Sequence, residues 1–548
     1  MSSSDRSSRG AASLVAFGIL LSRVAGLVRE RAIAHFLGND VAAGAFRAAY
    51  RIPNFLQNLF GEGVLSASFI PIYSRLRAQG DHETAEKLAS VIGTVLALFV
   101  SVVSLVGILV APIVVALIAP GFDGEVKQLT VTIVRILFPG IGLLVMSAWC
   151  LGILNSHRKF FLSYAAPVVW NFAMIAALVI YGGSSSQNDL AIALAWGAVV
   201  GSVLQLAVQL PVVLKVAGSI RPAVSFKMQS VRDVFTNMGP VFMGRGVAQI
   251  SAYIDSMVSS FLGPAAVASI SYAQTLYLLP VSLFGMSIAA AELPEMSIVG
   301  GADDVAKEKL RTRIRSGRRR IAFFVIPSIA AFLILGRAVV AALYQTGRFG
   351  HDDTYYVWYI LMGSCIGLLP ATWGRLYSSA FYALGDTKTP FRIALVRVTT
   401  SIVLGLAFAF PLRPLFVQFF SSIPFFGLPK IDGIEVGLGA VGLTFGSALA
   451  GWGEFALLRR ALTPRIGAAD VATKTLVKIW SAALGAAALA VAVDTIVFDS
   501  GETAIRILHY NWQPLLILAT FGVSYLLFAL ALKVEETSAI TARLFKRK

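Results

Sequence analysis

Apolar residues run along this chain in stretches of roughly twenty, separated by short polar connections, and the stretches do not alternate with a period of two. Each is long enough to cross about 30 Å of hydrocarbon as a helix. A membrane barrel would need short alternating strands instead. A lipid-embedded backbone must satisfy its own hydrogen bonds, so the spans must be helical. The pattern predicts about fourteen of them, with cores near 11–36, 42–73, 88–118, 128–154, 162–182, 189–214, 235–261, 266–298, 320–345, 354–383, 390–411, 434–458, 474–495 and 510–533. The fold class is an all-α polytopic membrane protein.

The short connections alternate in charge. One set is basic, including Arg75/Arg77/Lys87, His157/Arg158/Lys159, Lys215/Arg221/Lys227/Arg232, Lys307 to Arg320, Arg459/Arg460/Arg465 and the tail ending at Lys548. The other set is acidic or neutral, including Asp40, Asp123/Glu125, Asp352/Asp353 and Asp499/Glu502. That bias predicts cytoplasmic N- and C-termini, which an even number of spans allows. The net charge of +17 is thereby a topology signal, where on a soluble protein it would suggest nucleic acid. Residues 1–10 read as a disordered cytoplasmic tail and 534–548 as a basic one. Arg23 interrupts the first apolar run and no A-x-A pattern follows, so that run reads as an uncleaved helix.

A repeat is visible. Phe36-Leu37-Gly38, Phe60-Gly61 and Ile70-Pro71 match Phe261-Leu262-Gly263, Phe284-Gly285 and Leu293-Pro294 in spacing. Leu154 to Lys159 matches Leu384 to Thr389 at a similar offset of roughly 225–230 residues, which is six helices. An even number of spans per unit predicts two parallel, pseudo-symmetric six-helix lobes with the substrate site expected between them. The organisation so predicted is an N-lobe at 11–215, a C-lobe at 235–460 and an extra helix pair at 474–533.

Composition agrees with the lipid setting: 57% of the 548 residues are hydrophobic and 14% charged, with a mean hydropathy of +0.76, where a soluble chain would be about a quarter charged. Cys150 and Cys365 lie inside apolar runs and suggest neither a disulfide framework nor a zinc site, and the five histidines show no ligand spacing. There is no Walker A loop, nucleophile elbow or H-E-x-x-H, so neither an ATP-driven engine nor a hydrolase is expected. The Phe-rich segment from Pro411 to Lys430 is too short to cross twice and reads as interfacial.

The chemistry lies in the arginines left inside the spans: Arg23, Arg29, Arg47, Arg51, Arg135, Arg245 and Arg375. An arginine at mid-membrane costs at least a few kcal/mol and must face a cavity or a partner. On an ideal helix Arg23 and Arg29 stand about 120° apart with Gly26 between them, and Arg47 and Arg51 share a face one turn apart. Pro53 follows and is expected to kink its helix. The planar guanidinium fork suits a diphosphate. The alternative is internal pairing with Glu30, Glu62, Asp255 or Glu292. Asp255 is either a monovalent-cation site, for sodium or a proton, or a partner of Arg245.

The residues resemble the MurJ/MviN family of lipid II flippases within the multidrug/oligosaccharidyl-lipid/polysaccharide exporter superfamily. The resemblance rests on Ser22-Arg23-Val24, Gly26, Arg29-Glu30, Phe46, Arg51-Ile52-Pro53-Asn54, Glu62-Gly63 and Phe69-Ile70-Pro71. It continues through Ala119-Pro120-Gly121-Phe122, Gly152-Ile153-Leu154-Asn155, Met238-Gly239-Pro240, Gly347-Arg348-Phe349 and Asp386-Thr387-Lys388-Thr389-Pro390. It implies fourteen helices, two lobes about a central cationic cavity, and outward movement of undecaprenyl-diphosphate-linked disaccharide-pentapeptide by alternating access in a bacterial inner membrane. Arg23, Gly26, Arg29, Arg51, Asn54, Glu62 and Arg375 are the implied substrate-binding positions, with Arg47 and Arg245 as further candidates by depth. Asp255 matches an acidic residue of a sodium site in some members. No other cofactor is implied. The implied partners are lipid II, the bilayer and cell-wall synthesis proteins. The chain departs from the family at Gly44 (usually Asp), Gln57 (usually Arg) and Gln274-Thr275 (usually Asp-Arg). Those departures leave another polyprenyl-diphosphate glycan as an alternative substrate. A membrane glycan polymerase or ligase, which would need a large outer loop with positioned carboxylates, is the remaining alternative.

Overall fold

The computed structural model describes residues 3–60, 62–298, 304–422, 434–496 and 506–537. Among them every regular element is a helix, apart from one isolated bridge between Thr346 and Phe349. The chain falls into two compact units, one made of 1–268 with 346–349, the other of 269–345 with 350–548.

The first unit is built from α1 (Ser3–Leu37), α2 (Val41–Phe60), α3 (Glu62–Ala78), α4 (His82–Leu109), α5 (Ala111–Ile118), α6 (Gly124–Ser156), α7 (Phe160–Tyr181), α8 (Gln187–Val216), α9 (Gln229–Ser260) and the start of α10 (Pro264–Pro280). α6 is its centre, packing on α2, α3, α4, α7 and α8, while α1 lies on α7. Gly93 explains one of these close approaches: a methyl group there would meet the Trp149 ring of α6 at 2.8 Å. The expected tail at residues 1–10 is instead helical from Ser3, since no proline stands between it and the apolar run to end the helix. The expected lobe boundary at 216–234 also differs from the division by packing, because α9 rests on α2, α3, α4 and α5.

The second unit continues α10 through a π-helical turn at Val281–Met286 into α11 (Ser287–Ile298). Pro280 lacks the N–H that an α-helical ladder needs, and the register slips directly after it. Then come α12 (Asp304–Ile334), α13 (Gly336–Tyr344), α14 (His351–Cys365), α15 (Leu368–Ala383), α16 (Lys388–Ala409), α17 (Arg413–Ser422), α18 (Ile434–Ile466), α19 (Thr473–Asp494) and α20 (Arg506–Ala531). α18 is the counterpart of a central post, packed on α14, α15 and α16, and α19 pairs with α20 and leans on α12.

Nine helices among the described residues are long and apolar enough to cross a membrane, and two bent pairs, α12–α13 at 86° and α14–α15 at 42°, bring the number to eleven. The other three predicted spans fall on α1, α2 with α3, and α9, which are not among these eleven. The described part of α1 carries Arg23, Arg29, Glu30 and Arg31, which lowers its hydropathy, and α2, α3 and α9 contain residues outside the description. The repeat motifs fall at matching places. Gly38 (φ 61°) ends α1 and Gly263 (φ 98°) ends α9, a left-handed conformation that glycine adopts without a Cβ penalty. The long-then-short pairs α4–α5 and α12–α13 recur at the same offset of roughly 225 residues.

Candidate functional site

The first unit holds a charged cluster inside its spans. Glu30 on α1 is buried, and its two carboxylate oxygens each take one arginine: Arg29 Nη2 at 2.6 Å and Arg47 Nη2, from α2, at 2.6 Å. Arg29 also donates from Nη1 to Asn171 Oδ1 of α7 at 2.9 Å. Asn171 is held in place by its own Nδ2 donating to Pro167 O at 2.9 Å. The Arg29 guanidinium lies 5.1 Å from the Trp170 ring and 5.8 Å from the Tyr50 ring, and those two rings stack on each other at 6.0 Å. Trp170 is fixed in turn by donation to Ala198 O of α8 at 2.9 Å.

Three helices therefore meet on one arginine, with α8 bracing Trp170 behind it. Two guanidinium groups face one carboxylate, so the cluster keeps one positive charge in excess. Its side chains are 6–14% exposed. At that depth Coulomb attraction is strong but desolvation is costly, and the pairing is what makes the arginines tolerable.

The other predicted residues stand differently. Arg23 is exposed, on the same face of α1 as Leu20 and Val24, and does not converge with Arg29. Gly26 between them has open space where a Cβ would stand. Arg51 is half-buried one turn beyond Arg47. Arg375 on α15 is exposed, in the second unit. The side chains of Asn54, Glu62, Arg245 and Asp255 lie outside the described residues; the backbones of these residues belong to α2, α3 and α9. The alternative of internal pairing thus holds for Arg29 and Arg47 through Glu30.

Gly44 has a packing reason. A methyl group there would overlap the backbone of Pro264 at the start of α10, so the position has no room for the acidic side chain that the family carries. Thr275, also a departure, donates to Ser271 O of its own helix at 3.1 Å. The Gly347-Arg348-Phe349 motif packs within the first unit: Arg348 N donates to His35 O at 2.9 Å, and the Arg348 side chain reaches Asp40 at 3.4 Å.

The second unit has a charged group that the sequence reading missed. Arg397 of α16 sits 3.5 Å from Glu454 of α18, and Arg375 acts electrostatically on Glu454 and on Tyr277. Glu454, a carboxylate inside a long apolar run, was the signal available. The basic run from Lys307 to Arg320 is largely paired. Arg313 reaches Glu295 at 2.7 Å and Glu292 at 3.3 Å, Arg318 reaches Asp470 at 2.8 Å, and Arg319 pairs with Glu535 and Glu536. Among the described residues no three His, Cys, Asp or Glu side chains are grouped to hold a metal.

Comparison with known proteins bears on this geometry. The family described as lipid II flippase MurJ matches residues 33–426. A Burkholderia cenocepacia protein named lipid II flippase MurJ is 35% identical over 382 residues, covering 69% of this chain and 73% of that protein. A Rhizobium meliloti protein named probable lipid II flippase MurJ is 30% identical over 500 residues, covering 88% and 86%. Among solved structures, a lipid II flippase MurJ in an inward closed conformation matches with a TM-score of 0.72 and 22% identity, covering 97% of this chain and 100% of that one. An inward-facing multidrug resistance transporter of the MATE family matches at 0.58 and 16%, covering 83% and 99%.

Proposed function

The chain belongs to the lipid II flippase MurJ family, and from that membership we propose that it carries lipid II from the inner to the outer leaflet of a bacterial cytoplasmic membrane by alternating access. It is a transporter and not an enzyme. The basic connections face the cytoplasm in this reading, with both termini on that side.

The observation that carries the proposal is the buried Arg29–Glu30–Arg47 group with its unbalanced positive charge. A diphosphate is the anion that two guanidinium forks suit best. Arg23, exposed on α1, makes first contact with the headgroup, and the open backbone at Gly26 lets a phosphate approach. Arg51 and Arg375 supply further charge. Glu30 holds Arg29 and Arg47 in place while the site is empty and releases one of them as the diphosphate arrives. The headgroup alone needs this polar path, because the polyprenyl tail is as apolar as the bilayer. The membrane potential contributes about 2.3 kcal/mol per charge per 100 mV, and a monovalent cation at Asp255 is the proposed coupling ion.

The absence of an acidic group at Gly44, where Pro264 fills the space, favours one second reading: a related polyprenyl-diphosphate glycan as the cargo. One experiment separates them. The unmodified chain is expressed in a flippase-depleted strain, alongside Arg23→Ala and Arg29→Ala, with membrane insertion checked by immunoblot. Growth with the native chain and lysis with both variants is the expected result. Lysis with the native chain points to the other glycan, and full growth with both variants overturns the arginine assignment.

A further inference from the structure

The second unit carries a cleft that the proposed transport does not use. On one side of α18 a cavity of about 530 Å³ is lined by Trp452, Phe455, Arg459, Arg460 and Pro464. On the other, toward α16, a cavity of about 240 Å³ is lined by Val396, Arg397, Thr400, Gly453 and Glu454. The two share Ala456 and Arg460, so they form two clefts that diverge from one arginine.

The walls are preformed. Trp452 donates from its indole N–H to Ile366 O at 3.1 Å. Phe455 packs against Trp373 and Tyr377 at 5.4 Å each, and the Arg318 guanidinium covers its ring at 5.4 Å. The charges are unequal in their commitments. Arg459 is held by Asp470 at 2.6 Å, and Arg397 by Glu454 at 3.5 Å. Arg460, exposed near the end of α18, has neither hydrogen bond nor ion pair among the described residues. One cationic group thus stands at the membrane face of the basic connections, where two clefts meet, the larger mostly apolar and the smaller apolar but for Thr400 and the Arg397–Glu454 pair.

We propose that this cleft is a binding site for an anionic glycerophospholipid, its phosphate on Arg460 and its two acyl chains in the clefts on either side of Ala456. The shape argues for a branched lipid, since a single chain would fill one cleft only. The charge argues for an anionic headgroup, because Asp470 and Glu454 already neutralise the neighbouring arginines and a zwitterionic headgroup would gain little from Arg460. Basic pockets between spans at this membrane face bind such headgroups by the same physics. The site includes none of Arg23, Arg29, Arg47, Arg51 or Arg375, and touches the transport reading only through Glu454, on which Arg375 acts.

The test uses the full chain, purified in mild detergent and titrated with phosphatidylglycerol, phosphatidylcholine or inorganic phosphate, with bound lipid counted by native mass spectrometry. The expected result is retention of phosphatidylglycerol, not of phosphatidylcholine, weakened about fivefold by Arg460→Gln. Gly453→Leu is the second variant: the space around a Cβ there is open, so the longer side chain starts into the cleft that Gly453 lines. It is expected to displace the lipid while leaving the thermal transition in place. Equal retention of both lipids, competition by inorganic phosphate alone, or unchanged phosphatidylglycerol binding in both variants would each overturn the proposal.

Discussion

The two units hold their buried polar groups in opposite ways. At the end of α6 the first unit uses neutral groups: Ser147 donates to Gln209 at 2.6 Å and accepts from Gln205 at 2.7 Å, both partners on α8. At the corresponding end of α15 the second unit uses charge. Arg318 bonds Tyr377 at 3.2 Å, Ala469 O at 3.0 Å and Asp470 at 2.8 Å, with the Trp373 ring 4.4 Å away. Deep in the spans the contrast reverses. There the first unit buries Arg29 and Arg47 on Glu30, with one charge in excess, while the second places the Arg397–Glu454 pair, half-exposed on its arginine side and under the influence of Arg375. The second unit uses its charge to pin connections to helices; the first keeps an excess charge buried among its spans.

The largest test of that contrast is Glu30→Ala against Asp470→Ala. Removing Glu30 strands two buried guanidinium groups, at a cost of about 3–5 kcal/mol, whereas Asp470 is 40% exposed and its loss is expected to cost about 1 kcal/mol or less. Thermal unfolding of the purified variants measures both, and equal costs would break the comparison. Gly44→Asp comes next. It restores the family's usual residue but drives it into Pro264, so a loss of about 1–3 kcal/mol is expected from overpacking. A gain in transport without loss of stability would show that the helices can part there. Ser147→Ala removes a neutral partner from two buried amides, for about 1–2 kcal/mol, and the same assay reads it.

The smallest effects are those of pH, and they fall in different windows. In the first unit His157 accepts or donates at Tyr73 Oη, 3.0 Å away, and its pKa is lowered to about 4, first by burial and then by Arg77, His82 and Lys159. A histidine held neutral in the fold and free to protonate when unfolded makes the unfolded chain bind more protons between pH 6.5 and 4. Stability is therefore intact above about pH 6.5 and falls through that window. In the second unit Asp386 accepts from Thr389 N at 2.9 Å and from Arg465 at 2.8 Å, which lowers its carboxyl to about 2. Its contribution is present above the ordinary carboxylate pKa, near 3.9, and is lost as pH falls toward 2. Melting curves for His157→Gln and Asp386→Asn across pH 7 to 3 check this. His157→Gln should flatten the slope above pH 4, and Asp386→Asn only below it.

Much of the fold was legible before any coordinates. The fourteen apolar runs map one to one onto helices or bent helix pairs, because span length is set by bilayer thickness and not by neighbours. The break between α12 and α13 was not legible, since Leu335-Gly336 lies inside an apolar run where only packing rewards a sharp bend. Arg29 was legible as a deep charge, but its partners were not fully so. Glu30 is adjacent in sequence, yet Asn171, Trp170 and Tyr50 come from two other helices, and no spacing rule connects them.

The chain alone determined the lipid setting, the helical class and the identity of the ionisable groups that cannot face hydrocarbon. Those follow from transfer energies that each residue carries with it wherever it stands. Tertiary structure decided which arginines are held by carboxylates and which reach outward, why glycine occupies position 44, and that Arg460 stands where two clefts meet. Such outcomes depend on distances between helices far apart in sequence, and at 3–4 Å a single rotation of a helix exchanges a partner for a void.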